Sequence, residues 1–156
     1  MPARSVHTTA HQAGEPGAVA GLGVDAVDIA RFRASVRRHP SLVDRLFTPA
    51  EQAAAGRRVD PVPSLAARFA AKEATWKALG VGLGAVGFHD VAVGAADSGA
   101  PVLVLSGRAA ELADAARCRR WHLSLTHTAT VAIATVLAER ADGERTADGR
   151  ASCSPS

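Results

Sequence analysis

Aromatic side chains make up only 4% of the sequence, whereas proteins that hold single-stranded nucleic acid by stacking its bases need exposed rings beside their basic groups. The formal net charge of +3 suits an acidic partner, whether a nucleic acid, a phosphorylated cofactor or an acidic protein, without choosing among them; the scarcity of rings argues against the first, and no nucleic-acid partner is expected. Cysteine is nearly missing too. Cys118 and Cys153 are the only two, and they stand far apart in no metal-ligand spacing, which argues against a disulfide framework and a zinc site. Reduced thiols in the cytosol are the expectation. No apolar run is long enough for a signal-peptide core or a bilayer span, so the chain is expected in the cytoplasm and off the membrane.

What is present suits one domain with a modest core: 156 residues, 47% of them hydrophobic and many of those alanine. The large anchors are Phe32, Phe47, Phe69, Phe88, Trp76 and Trp121. So small a core often calls for help from oligomerisation. Residues 1–18 and 140–156 lack periodicity and are rich in small and polar types, which predicts disordered tails around a folded part spanning 19–139. No internal repeat is visible.

Residues 18–25 look like a small-residue strand ending on Asp25. Asp28 then caps a helix that carries Ile29, Phe32 and Val36 at helical spacing, with Arg31, Arg33, Arg37 and Arg38 largely on its other faces. Thr48-Pro49-Ala50-Glu51 is a capping box with proline at the first helical position. A third helix, capped by Ser64, is expected from Leu65 to Leu79 and stops at Gly80. Val91–Val93, Pro101–Leu105, Trp121–Thr126 and Val131–Leu137 read as strands, and Arg108–Ala116 as a helix. Helices first and mostly strands later favour an α+β fold over a doubly wound sheet.

The segment from Arg68 to Gly80, RFAAKEATWKALG, carries the most chemistry. At about 100° per residue Lys72 falls within the apolar stripe of the helix, while Glu73 and Lys77 lie at its edge, one turn apart. A lysine in that stripe must snorkel out or face a cleft that uses its charge, because an unpaired buried ammonium is costly. Glu73 and Lys77 admit two readings: a surface ion pair worth about 0.3 kcal/mol, or a magnesium ligand beside a phosphate-binding lysine. Asp25 offers a second carboxylate; with Asp28 as the better helix cap, it has no evident structural task. His122 and His127 bracket the strand Leu123–Thr126, and His127 shares a side with Leu123 and Leu125. The glycines after Leu79 follow a helix instead of joining a strand to one, which sets aside a dinucleotide fingerprint.

Together these segments resemble the holo-acyl-carrier-protein synthase family of phosphopantetheinyl transferases. The resemblance runs from Gly21-Leu22-Gly23-Val24-Asp25 with Arg31-Phe32, through Phe47–Glu51 and Arg68–Gly80, to His122–His127 and Val131–Val136. It implies a single α+β domain, helices packed on an antiparallel sheet, assembled as a homotrimer with the active site at the subunit interface. It also implies transfer of 4′-phosphopantetheine from coenzyme A to a serine of an acyl carrier protein of fatty-acid or polyketide type, with magnesium and release of adenosine 3′,5′-bisphosphate. Carried over residue by residue, Asp25 and Glu73 are the metal ligands, Lys77 lies beside the pyrophosphate, and Arg68, Lys72 and His127 bind coenzyme A. Arg31 and Arg38 dock the carrier. Glu73, directly or through a bound water, is the candidate general base. Thr128 stands where some relatives carry an acid, and Trp76 where the motif often has phenylalanine. The competing expectation is a carrier-binding module without catalysis; the presence of Asp25, Glu73 and Lys77 speaks against it.

Overall fold

The backbone of the computed structural model is described for residues 18–140 and for a two-residue strand, β1 (His7–Thr8). From Val19 the chain forms β2 (Val19–Asp28), α1 (Ile29–Arg38), α2 (Ser41–Leu46), α3 (Pro49–Gly56) and α4 (Val62–Leu79). A 3₁₀ turn at Phe88–Asp90 then leads into β3 (Val91–Ala95), β4 (Pro101–Leu105), α5 (Gly107–Ala115), β5 (Cys118–His127) and β6 (Val131–Arg140).

Local chemistry sets most boundaries. Asp28 accepts the Arg31 N–H at 2.7 Å and starts α1, and Thr48 with Glu51 forms the reciprocal capping box of α3. Helix α4 ends on Gly80, whose φ of 71° is the left-handed geometry that glycine adopts without strain. Its start departs from expectation: the helix begins at Val62, whose N–H is accepted by Asp60 at 3.1 Å. Ser64, already inside the helix, accepts from Arg68 instead. The short α2 carries no cap of its own and was not anticipated.

The fold is α+β, and the antiparallel sheet is divided in two: β1-β4-β3 and β2-β6-β5, every pairing antiparallel. Within the segment expected to be an N-terminal tail, β1 pairs with β4, His7 opposite Leu105. The tail expected after residue 140 lies outside the described residues, as does Cys153; Cys118 is a buried free thiol. No described helix is long and apolar enough to cross a membrane.

Helix α4 organises the interior, packing on β2 and β6 on one side and on α1, α3 and β3 on others. Its alanines explain how it sits so close. A Cβ built on Gly21 would lie 1.9 Å from the Ala78 carbonyl oxygen, and one on Gly23 1.8 Å from that of Ala74. Strand glycines and helix alanines therefore let the two backbones touch. Phe32, Phe47 and Phe69 fill a core beneath α1–α3, and Phe88 stacks on Phe69 and meets Trp76, joining it to the second core around Trp121 and Val136.

Candidate active site

Alternation along β2 turns Gly21, Gly23 and Asp25 toward α4 and leaves Leu22, Val24 and Ala26 on the opposite face. Because Gly21 meets Ala78 and Gly23 meets Ala74, strand and helix run antiparallel in contact. The next residue on that strand face is Asp25. Lys77 reaches it from α4, its ammonium donating to Asp25 Oδ1 at 2.8 Å and to the Val24 carbonyl at 2.9 Å. Asp25 therefore lies inside the strand, which continues to Asp28, and not at its end.

Glu73 stands one helical turn before Lys77, and its carboxyl is pushed above the usual carboxylate range, first by burial and then by the negative charge of Asp25, with Lys77 offsetting part of this. Asp25 and Glu73 thus share one neighbourhood with Lys77, and both Asp25 and Lys77 lie close enough to Glu73 to influence it electrostatically. The Glu73–Lys77 surface pair is not what forms: Lys77 pairs with Asp25, 52 residues away in sequence. Among the described residues no three acidic, histidine or cysteine side chains gather into a closed metal cage. The donor set of two carboxylates suits magnesium, which keeps waters and takes one or two carboxylates together with substrate phosphates.

Lys72 is a correction. Expected to face coenzyme A, it is 0% exposed, and its ammonium is consumed inside the fold by Glu51 Oε2 at 2.9 Å, the Phe88 carbonyl at 2.8 Å and the Val91 carbonyl at 2.5 Å. Burial pushes its pKa down and Glu51 pulls it back. All three donors of the ammonium are used, so no proton remains for a cofactor. The stripe position of Lys72 signalled an unusual partner; nothing local identified Glu51, which also serves the α3 capping box.

Arg68 is half-buried, bound through Nη1 to the Ser64 hydroxyl at 2.5 Å and carbonyl at 3.2 Å, while its buried Nε finds no acceptor among the described residues. His127 ends β5 exposed, near the Thr128 carbonyl at 3.3 Å. It occupies the row of Ala132 and Val27, two strands from β2. No hydrogen bond or ion pair among the described residues joins Arg68 or His127 to the Asp25–Lys77 group. Thr128 is a turn residue here, its hydroxyl accepting from the Thr130 and Val131 N–H groups. Arg31 and Arg38 are exposed on α1, whose cap Asp28 is three residues beyond Asp25, so the basic helix leaves directly from the site. One group was not foreseen: Glu139, which pairs with Arg120 at 3.1 Å and His122 at 3.4 Å.

The profile of the 4′-phosphopantetheinyl transferase superfamily matches residues 21–136. A protein of Beutenbergia cavernae named holo-[acyl-carrier-protein] synthase is 48% identical over 122 residues, 78% of this chain and 99% of that protein. Among solved structures, a holo-(acyl-carrier-protein) synthase of Bacillus anthracis in complex with CoA (3′,5′-ADP) superposes with a TM-score of 0.66 at 30% identity, covering 79% of this chain and 98% of the other. A holo-[acyl-carrier-protein] synthase of Helicobacter pylori in complex with coenzyme A gives 0.67 at 32% identity, covering 76% and 99%.

Proposed function

The chain belongs to the 4′-phosphopantetheinyl transferase superfamily, and from that membership we propose that it uses Asp25, Glu73 and Lys77 to move phosphopantetheine from coenzyme A to a serine of an acyl carrier protein, with magnesium. The observation that carries this reading is the Lys77–Asp25 ion pair made where β2 touches α4, with Glu73 one helical turn from Lys77 and within the influence of both charges.

Asp25 and Glu73 would hold the magnesium, which when bound offsets the charge of the pyrophosphate. Glu73, whose environment favours the protonated form more than water does, accepts the proton of the carrier serine as its oxygen attacks the β-phosphate. The bond from that phosphorus to the bridging oxygen breaks, and adenosine 3′,5′-bisphosphate departs. Lys77, half exposed, exchanges Asp25 for the departing phosphate and neutralises or protonates it. Arg68, with its unmet Nε, and the exposed His127 bind coenzyme A across a subunit boundary. The test is release of adenosine 3′,5′-bisphosphate that requires both an apo carrier and magnesium and stops with a chelator. Carrier binding without any release would leave a non-catalytic binding module.

The outward face of β2-β6-β5 supports a homotrimer. Leu22 is 60% and Val24 49% exposed there, and the facing positions Leu137, Thr135 and Ile133 extend the same surface across β6. Covering these side chains is the help that so small a core calls for. Leu22→Glu with Val24→Glu is expected to give monomers by analytical ultracentrifugation and at least tenfold weaker coenzyme A binding; a trimer of wild-type affinity would move the interface elsewhere.

The carrier, of fatty-acid or polyketide type, docks on α1. Arg31→Glu with Arg38→Glu should raise the carrier KM by about tenfold while coenzyme A affinity stays within about twofold, since two reversed rim charges act mainly on encounter. An unchanged carrier KM would remove α1 as the docking face. Its work is proposed to take place in the cytoplasm, where coenzyme A and the carrier would be met.

A further inference from the structure

We propose that Lys72 and Glu51 form a buried ionic pivot that fixes the roll of α4 about its own axis and thereby aims Glu73 at Asp25; they are positioning residues, and neither touches coenzyme A. The inference rests on the reading of Asp25 and Glu73 as the metal-binding pair.

The pivot joins four elements at one point. Glu51 Oε2 accepts from the Thr48 N–H at 2.9 Å and from Lys72, and Oε1 accepts from the Val93 N–H at 3.0 Å. Lys72 adds the carbonyls of Phe88 and Val91. The 3₁₀ turn, α3, α4 and β3 are thus tied by groups that are 0% and 1% exposed. Of the described residues, only Thr75 besides these two is a polar side chain buried to the same degree, and it bonds locally to the Ala71 carbonyl.

Helical geometry gives the pivot its consequence. Ala74, which rests against Gly23, is about 200° around the helix from Lys72, so the two anchors hold nearly opposite sides. Glu73 lies between them, about 100° from each. Against β2 the helix packs through glycine and alanine, and its side-chain tie there is Lys77, a half-exposed group of the site itself, so that side offers little interlocking against rotation. The buried anchor on the opposite side supplies most of the resistance. A roll of about 10° carries a side chain at the helix surface by about 1 Å, and a 1 Å misplacement of a reacting group costs about 100-fold in rate. Apolar packing at the position of Lys72 would fill the same volume, but greasy contacts tolerate slippage that a fixed set of hydrogen bonds does not.

The test uses the full chain and two variants. Glu51→Met with Lys72→Met replaces the pair by apolar side chains, which is often neutral for stability. Lys72→Gln removes the charge but keeps hydrogen bonding, and is read the same way should the double variant not fold. Three quantities are measured on whichever variant melts within a few degrees of wild type: kcat, the KM for coenzyme A, and binding of Mn²⁺ in place of magnesium by electron paramagnetic resonance in the presence of coenzyme A. The expected result is a kcat lowered at least tenfold, a KM within about twofold, and Mn²⁺ bound at least fivefold more weakly. Wild-type kcat and Mn²⁺ binding in a folded variant would overturn the pivot. A KM raised tenfold with kcat intact would also overturn it and return Lys72 to the cofactor cleft. Asp25→Asn, measured alongside, separates the two levels: Mn²⁺ binding that ignores Asp25→Asn contradicts the metal pair itself, whatever Lys72 does.

Discussion

Glu73→Gln is expected to lower kcat by about 1000-fold while the KM for coenzyme A changes by no more than about threefold. Glutamine keeps the size of the side chain and its hydrogen-bonding reach, so the contact of α4 with β2 persists. What disappears is the negative charge that would hold magnesium and accept the serine proton. General-base loss alone is worth about 100- to 10,000-fold, and weakening the metal adds several kcal/mol of lost charge stabilisation, so 1000-fold, about 4 kcal/mol, is a moderate expectation. Removing one carboxylate also relieves repulsion with Asp25, so the variant should be at least as stable thermally as the wild type. Steady-state kinetics with an apo carrier, together with a melting curve, reads both. A kcat within tenfold of wild type would take Glu73 out of the chemistry.

Gly23→Ala is expected to abolish folding at 37 °C, an unusual outcome for the addition of one methyl group. The new Cβ would lie 1.8 Å from the Ala74 carbonyl oxygen, 2.8 Å from its carbonyl carbon and 2.9 Å from the Ala78 nitrogen. All three are backbone atoms of a helix, so no side chain can turn aside. Helix α4 must lift off the strand, and every contact it makes across β2 and β6 opens with it. Overpacking in cores commonly costs about 1–3 kcal/mol. A clash with helix backbone belongs to the rare class above about 4–5 kcal/mol, a large part of a typical total of about 5–15 kcal/mol. Gly82→Ala is the control, because a Cβ there meets nothing within 4 Å; its melting temperature should stay within a few degrees. Circular dichroism of the two variants decides the matter. A folded Gly23→Ala protein with a wild-type melting temperature would mean that the strand and helix are not in the contact described.

Gly21 and Gly23 also mark the limit of what the sequence conveyed. The caps at Asp28 and Thr48–Glu51 and the stop at Gly80 were readable because each depends on residues three or four apart. The false start at Ser64 shows the same rule failing narrowly: Asp60 two residues before Val62 was the effective acceptor, hidden by the prolines at 61 and 63. The order of helices and strands identified α+β, but the division into two sheets depends on which strands meet, and pairing is nonlocal. At the site, Asp25, Glu73 and Lys77 were singled out, yet the reason they meet is the Gly21–Ala78 and Gly23–Ala74 contact, which leaves no periodic signal. Lys72 was noticed for the right anomaly and given the wrong destination. Its partner Glu51 lies 21 residues away and already had a satisfactory local explanation, so helical spacing offered no reason to look there. The exposed Leu22 and Val24 were hidden for a related reason, since a two-residue alternation says that one face is covered without saying by what.

The measurement that bears most directly on the central claim is intact-mass spectrometry of an apo acyl carrier protein incubated with this chain, coenzyme A and magnesium, run beside Glu73→Gln and beside a chelator. The account predicts a mass gain equal to one phosphopantetheine group on the carrier, lost when the carrier serine is replaced by alanine and suppressed in both controls. A carrier that binds the chain but keeps its apo mass would contradict it, and so would full modification with Glu73→Gln in the presence of the chelator.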